Sequence, residues 1–158
     1  MIHHISIAVR DPQHVAEVLA ELWQGQVAPF PPNPGSYVVL SLDRHGTMIE
    51  VYPFGTEMLP GEDQASFVTV PSASPYSATH AAVSVPVSRE DIERIAAREG
   101  WRALACNRDG LFSLVELWIE NHLLMELLPP DCAEEYLRFM QPESLAAFFN
   151  RDRELAPV

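Results

Sequence analysis

The chain contains no lysine; all ten of its basic residues are arginine. This excludes a Schiff-base lysine, a phosphate-loop lysine and a lysine general base together. Basic residues are scarce in any case, ten against 22 Asp and Glu, for a formal net charge of −12 and a pI of about 4.7. A surface of that sign repels polyanions, so neither nucleic acid nor an anionic membrane is an expected partner. Cysteine is nearly absent. Cys106 and Cys132 lack metal-ligand spacing and make no disulfide framework. Both read as structural thiols, and a reducing cytoplasm is the expected location. No apolar run reaches the roughly 20 residues of a membrane span. No basic start precedes an apolar stretch, so no signal peptide is expected.

What remains is an ordinary globular composition: 158 residues, 47% hydrophobic and 20% charged. That suits one domain, or two small modules sharing a core. His3–Val9 alternates, with Ile5, Ile7 and Val9 on one face and His4, Ser6 and Ala8 on the other. Asp11-Pro12 opens a helix that Gly25 can end. Strands follow over Gln26–Phe30, Ser36–Asp43 and Thr47–Tyr52, the last two joined by a tight turn at His45-Gly46. A two-residue turn there sets Ser41 opposite Glu50. Residues 54–78 read as a linker rich in Pro, Gly and Ser, with Phe67–Val70 a short strand inside it.

The order then repeats. Thr79–Val85 is a strand, and Ser88-Arg89-Glu90-Asp91 is a helix start of capping-box type, with Gly100 as the stop. Trp101–Cys106, Leu111–Ile119 and Leu123–Leu128 complete three more strands. A turn at Asn121-His122 would set Leu117 opposite Glu126 and turn Glu116 away. Past Pro129-Pro130, two short helices supply apolar surface for packing on the sheet or a second subunit, or for a lid. The expected fold class is α+β: two repeated β-α-β-β-β modules forming an open, cleft-like mixed β-sheet barrel with helices outside. The modules are residues 1–53 and 79–128, with a linker at 54–78 and a helical extension at 129–158.

Four residues mark the repeat. His4 precedes Glu50 by 46 residues (50 − 4), and His80 precedes Glu126 by 46 (126 − 80), so the offset between pairs is 76 (80 − 4). A lone strand histidine is usually a hydrogen-bonded core residue. A carboxylate among apolar neighbours is costlier, because it needs a cation or donors. Four such residues in register point to one shared divalent ion, for which two imidazoles and two carboxylates give a neutral set. Zn, Ni, Co, Mn and Fe all suit it. His14 and His45 read as surface residues, and His122 as a turn residue.

Paired modules with His on each first strand and Glu on each last strand resemble the vicinal oxygen chelate superfamily. This is the group of glyoxalase I, bleomycin resistance protein and the extradiol dioxygenases. The opening His-His-Ile-Ser-Ile-Ala-Val-Arg-Asp-Pro is similar to that group's first strand and helix cap, and the resemblance covers residues 2–128. It implies that His4, Glu50, His80 and Glu126 are metal ligands, matching bacterial-type glyoxalase I, and that Glu50 or Glu126 carries the proton. It implies isomerase, epimerase or lyase chemistry on a small substrate with adjacent oxygens, through a metal-stabilised enediolate, in a homodimer. The alternatives are an Fe(II) dioxygenase of extradiol type and a non-enzymatic resistance-type binding protein. Glyoxalase I carries an arginine where this chain has Ala8, so glutathione is not the expected substrate.

Overall fold

The computed structural model describes residues 2–155; Met1 and residues 156–158, the ends of the first module and of the extension, lie outside it. The elements run β1 (His4–Val9), α1 (Pro12–Trp23), β2 (Gln26–Pro29), β3 (Tyr37–Leu40) and β4 (Met48–Pro53). After these come β5 (Thr56–Leu59) and β6 (Ser66–Thr69). The second set is β7 (Ala81–Ser84), α2 (Arg89–Glu99), β8 (Arg102–Asn107), β9 (Ser113–Ile119) and β10 (Leu123–Leu128). Two helices close the chain, α3 (Pro130–Phe139) and α4 (Pro142–Leu155). The sheets have orders β1-β4-β3-β2 and β7-β10-β9-β8, each with one parallel pair, so the β-α-β-β-β unit occurs twice. Among the described residues the two sheets share no ladder, and neither closes into a barrel.

Local chemistry sets the helix ends. The Asp11 side chain accepts from His14 N at 3.2 Å, with Pro12 in the first turn. Ser88 Oγ accepts from Asp91 N at 3.2 Å, and Gly100 at φ 67° stops α2. The α1 stop is one residue early: Gln24 takes the left-handed conformation at φ 53°. Gly25 is needed elsewhere, since a Cβ there would lie 2.2 Å from Leu40 O. Glycine lets the chain enter β2 against the end of β3.

Alternation divides each sheet into two faces. Ile49 and Val51 of β4 join Val15, Leu19 and Leu22 of α1. Met125 and Leu127 of β10 join Ile92 and Ile95 of α2 in the same continuous cluster. Each fully buried aliphatic side chain stabilises the fold by about 1.5–3 kcal/mol, so one core serves both modules. Polar bonds cross the same junction. Trp23 Nε1 donates to Ser84 O at 3.2 Å, and Arg98 pairs with Glu21 at 2.7 Å. Arg10 N and Asp11 N donate to the Glu120 carboxylate at 2.7 and 2.8 Å. Glu120 of the second module thus holds the turn that leads from β1 into α1.

The faces turned away from α1 and α2 carry Glu50 and Glu126, and each has its own cover. The β5–β6 hairpin lies over the first, with Phe67 and Phe30 against Tyr52 at 5.5 and 5.9 Å between ring centres. Gly55 (φ 86°) admits Val70 O to 2.5 Å from where a Cβ would stand, so the hairpin folds back closely. Helix α3 lies over the second through Cys132, packed with Leu114 and Leu128.

Four sequence expectations need correction. Residues 54–78 hold two strands rather than one, because β5 pairs with β6. The first-module hairpin is not a two-residue turn at His45-Gly46. Residues 41–47 form a longer loop tied by Asp43, whose carboxylate accepts from His45 N, Thr47 N and Thr47 Oγ1. Glu50 therefore faces Val38, not Ser41. In the second module Glu120 and Asn121 take positive φ (49° and 58°), three residues separate the paired strands, and Glu126 faces Glu116, not Leu117. A one-residue slip moves every side chain to the other face, which brings Glu116 to the site instead of away from it.

Candidate metal and substrate site

Glu50 is 8% exposed, and neutral donors hold it. Ser6, its partner across the parallel β1–β4 ladder, donates to Glu50 Oε2 at 2.7 Å. Tyr52, two residues on and so on the same face, donates to the same oxygen at 2.7 Å. Burial pushes the Tyr52 phenol well above its ordinary pKa, and the adjacent carboxylate adds to the effect. The hydroxyl therefore stays protonated and keeps donating.

Glu126 is held by a cation. The Nη2 group of Arg108, at the β8–β9 turn, donates to Glu126 Oε1 at 2.5 Å and to Glu116 Oε1 at 3.0 Å. Glu116 and Glu126 are directly opposed on β9 and β10, and one guanidinium neutralises part of both. Burial works against the Glu116 carboxylate, but the bond and charge of Arg108, together with smaller polar contacts, outweigh it and lower the pKa. Burial raises both cysteine thiols, which leaves them protonated and poor ligands.

The two histidines lie along the seam between the edge strands β1 and β7. His4 lines a groove of ≈640 Å³ with Met48, Ala82 and Ser84. His80 lines another of ≈340 Å³ with Ser6, Ala8, His122 and Leu124. His80 stands just before β7, not inside it. Its Nδ1 lies 3.0 Å from Ala78 O. A carbonyl only accepts, so in the neutral imidazole the proton sits on Nδ1 and Nε2 is the nitrogen with the lone pair, the tautomer a metal ligand uses.

Within one chain, His4, Glu50, His80 and Glu126 do not form a single cluster. Among the described residues no three His, Cys, Asp or Glu side chains gather closely enough to hold a metal ion. The donor types nevertheless fit a divalent cation. No described residue hydrogen-bonds Glu50 Oε1 or Glu126 Oε2, so each carboxylate keeps an oxygen for a ligand.

Sequence reading missed several groups here. Arg108 and Glu116 were hidden by the register error. Ser6 and Tyr52 carried a signal, since each shares strand parity with its neighbour His4 or Glu50. His122 is a turn residue but not a surface one. It is 6% exposed, between Arg10 Nη1 at 3.2 Å from Nδ1 and the Phe54 ring at 5.6 Å. Its Nε2 has no partner among the described residues.

No family model and no curated protein matches the chain in sequence. Solved structures do match its fold. The fosfomycin resistance protein FosX of Listeria monocytogenes, complexed with Mn(II) and sulfate, aligns with TM-score 0.56 at 13% identity, covering 88% of this chain and 97% of that one. FosX of Mesorhizobium loti aligns with TM-score 0.50 at 12% identity, covering 86% and 96%. A putative glyoxalase family protein of Bacillus anthracis gives 0.53 at 11%, covering 80% and 92%. With the doubled β-α-β-β-β order and the two open four-stranded sheets, these alignments give the chain the fold of the vicinal oxygen chelate superfamily.

Proposed function

We propose that the protein is a metal-dependent enzyme acting on a small substrate with two adjacent oxygens, by isomerase, epimerase or lyase chemistry. The observation that carries this is the repeated His/Glu pair at matching points of two modules, with His80 Nδ1 against a carbonyl and both carboxylates on the faces turned away from α1 and α2. FosX, of the same fold, has been crystallised with Mn(II), and a variant of it with Mn(II) and 1S,2S-dihydroxypropylphosphonic acid. Because the two pairs do not meet inside one chain, we place the site in a homodimer. His4 and Glu50 of one protomer face His80 and Glu126 of the other.

In this reading the four side chains would hold one divalent ion: Zn, Ni, Co, Mn or Fe. The ion, when bound, supplies Lewis-acid polarisation of the substrate oxygens. The chain supplies the proton transfer. Glu50 is buried and held by two hydroxyls on one oxygen, so its other oxygen, a metal donor before substrate binds, would be free to take a proton from the carbon between the substrate oxygens once substrate replaces it. Ser6 and Tyr52 fix the direction of that oxygen. The acidic surface and Ala8 argue for a substrate of low negative charge.

Mixing two inactive variants tests both the site and the pairing. Glu50→Ala and Glu126→Ala should each lose most bound metal and all turnover of α-hydroxycarbonyl substrates. Re-dimerised from a mixture, the heterodimer regains one complete site if pairs meet across protomers, and none if they meet within a chain. Apo-protein reloaded separately with each of the five metals should exchange the substrate carbon proton without oxygen uptake. Iron-dependent oxygen uptake on catechols would replace this reading with a dioxygenase. A ligand bound unchanged with every metal removed would replace it with a binding protein.

A further inference from the structure

The geometry points to Arg108 as a latch: it holds Glu126 until a divalent cation takes that carboxylate, and Glu116 then retains the arginine. The inference rests on the metal reading of Glu126. A single nitrogen, Nη2, contacts both carboxylates, at 3.0 Å for Glu116 and 2.5 Å for Glu126. Release of Glu126 therefore costs one of its two contacts and needs no new position for the side chain. The guanidinium does not give up its proton under ordinary conditions; it bonds only Oε1 of Glu126, so a dication would meet the unbonded Oε2 first and displace the arginine by like-charge repulsion. The two glutamates are 18% and 15% exposed against 38% for the arginine, so the cation reaches in from the solvent side. Arg108 thus sets how readily the site loads, and Glu116 is the residue that lets it let go.

Mn(II) binding by equilibrium dialysis and electron paramagnetic resonance tests this, without turnover as a readout. Arg108→Gln should tighten Mn(II) about fivefold, and Glu116→Gln should weaken it about fivefold, because Arg108 then has only Glu126. General electrostatics alone gives the same two signs, so the double variant decides. If Glu116 acts by holding the arginine, Glu116→Gln changes affinity by less than about twofold once Arg108 is gone. An equal Glu116→Gln effect in both backgrounds overturns the latch. So does unchanged or weaker binding in Arg108→Gln, checked for folding by near-ultraviolet circular dichroism. Arg108→Met, which keeps the aliphatic stem, replaces Arg108→Gln if that variant does not fold. Failure of the metal reading looks different: wild-type protein binds no Mn(II), or Glu126→Ala binds it as well as wild type. Either result removes the latch along with that reading.

Discussion

Glu50 and Glu126 stand at the same point of their modules, on the last strand and on the face away from the helix. Their surroundings differ in kind. Glu50 is held by two neutral hydroxyls beneath the β5–β6 hairpin. Glu126 is held by a charged arginine that it shares with a third carboxylate. The repeat fixes where a carboxylate goes, and the local neighbours decide how it is stabilised. Hydroxyls keep a carboxylate in place whether or not a cation is near. An arginine competes with any other cation, and among the described residues Glu126 has such a neighbour in Arg108 whereas Glu50 is bonded by hydroxyls alone.

The comparison depends on the modules being one cooperative body, and the largest expected effect tests that. Leu22→Ala in α1 and Leu117→Ala in β9 each remove a side chain from the shared cluster, where they are 1% and 0% exposed. Each should cost about 3 kcal/mol, and urea unfolding should stay a single transition in fluorescence and circular dichroism alike. Two transitions would divide the molecule into independent halves. Next comes Tyr52→Phe, which removes a buried donor to Glu50 and should cost about 2 kcal/mol. Ser6→Ala removes the second donor, and the two together should fall short of or exceed the sum, since they share one oxygen. A smaller effect belongs to the other carboxylate: Arg108→Gln should cost under about 1 kcal/mol, because the arginine is partly solvated. Equal costs for Tyr52→Phe and Arg108→Gln would erase the contrast between the modules.

The smallest effect concerns the junction. Burial raises the pKa of Glu99, but the Arg98 and His14 bonds outweigh it and hold the carboxyl below its ordinary 4.5. A lowered folded-state pKa gives stability that is present above the unfolded value and lost as pH falls through the folded one. Glu99→Gln should therefore flatten the decline in urea midpoint below about pH 4.5. An identical acid slope in the variant would show that this cross-module pair adds nothing.

Most of the architecture was legible because its signals are local. Asp11, Ser88 and Gly100 act within one helical turn, and period-two alternation marks the inner strands whatever they pair with. Register is not local. It depends on loop conformation, and both hairpins take more residues than the tight turns their sequences suggest. Asp43 gathers three donors in one loop, and a pair of left-handed residues shapes the other. That hid Glu116 and with it the role of Arg108, which sits eight residues away in sequence from Glu116 and 18 from Glu126. Strand β5 was hidden for another reason: three of its four residues are exposed, so it lacks the apolar alternation that reveals a strand. His4 and His80 were visible through the repeat alone, since neither sits in a buried environment that a hydrophobic pattern could flag.

Glu120 has a consequence for how the chain reaches its fold. It supplies acceptors to the Arg10 and Asp11 amides, just ahead of α1, from 110 and 109 positions further along the chain. The turn from β1 into α1 is therefore completed by a hairpin made late in the chain. During synthesis those two amides stay hydrated until β9 and β10 have formed. A contact across so long a separation is of the kind that slows folding. A fragment ending before residue 120 would lack the acceptor altogether, and its unfinished core would make it prone to aggregate.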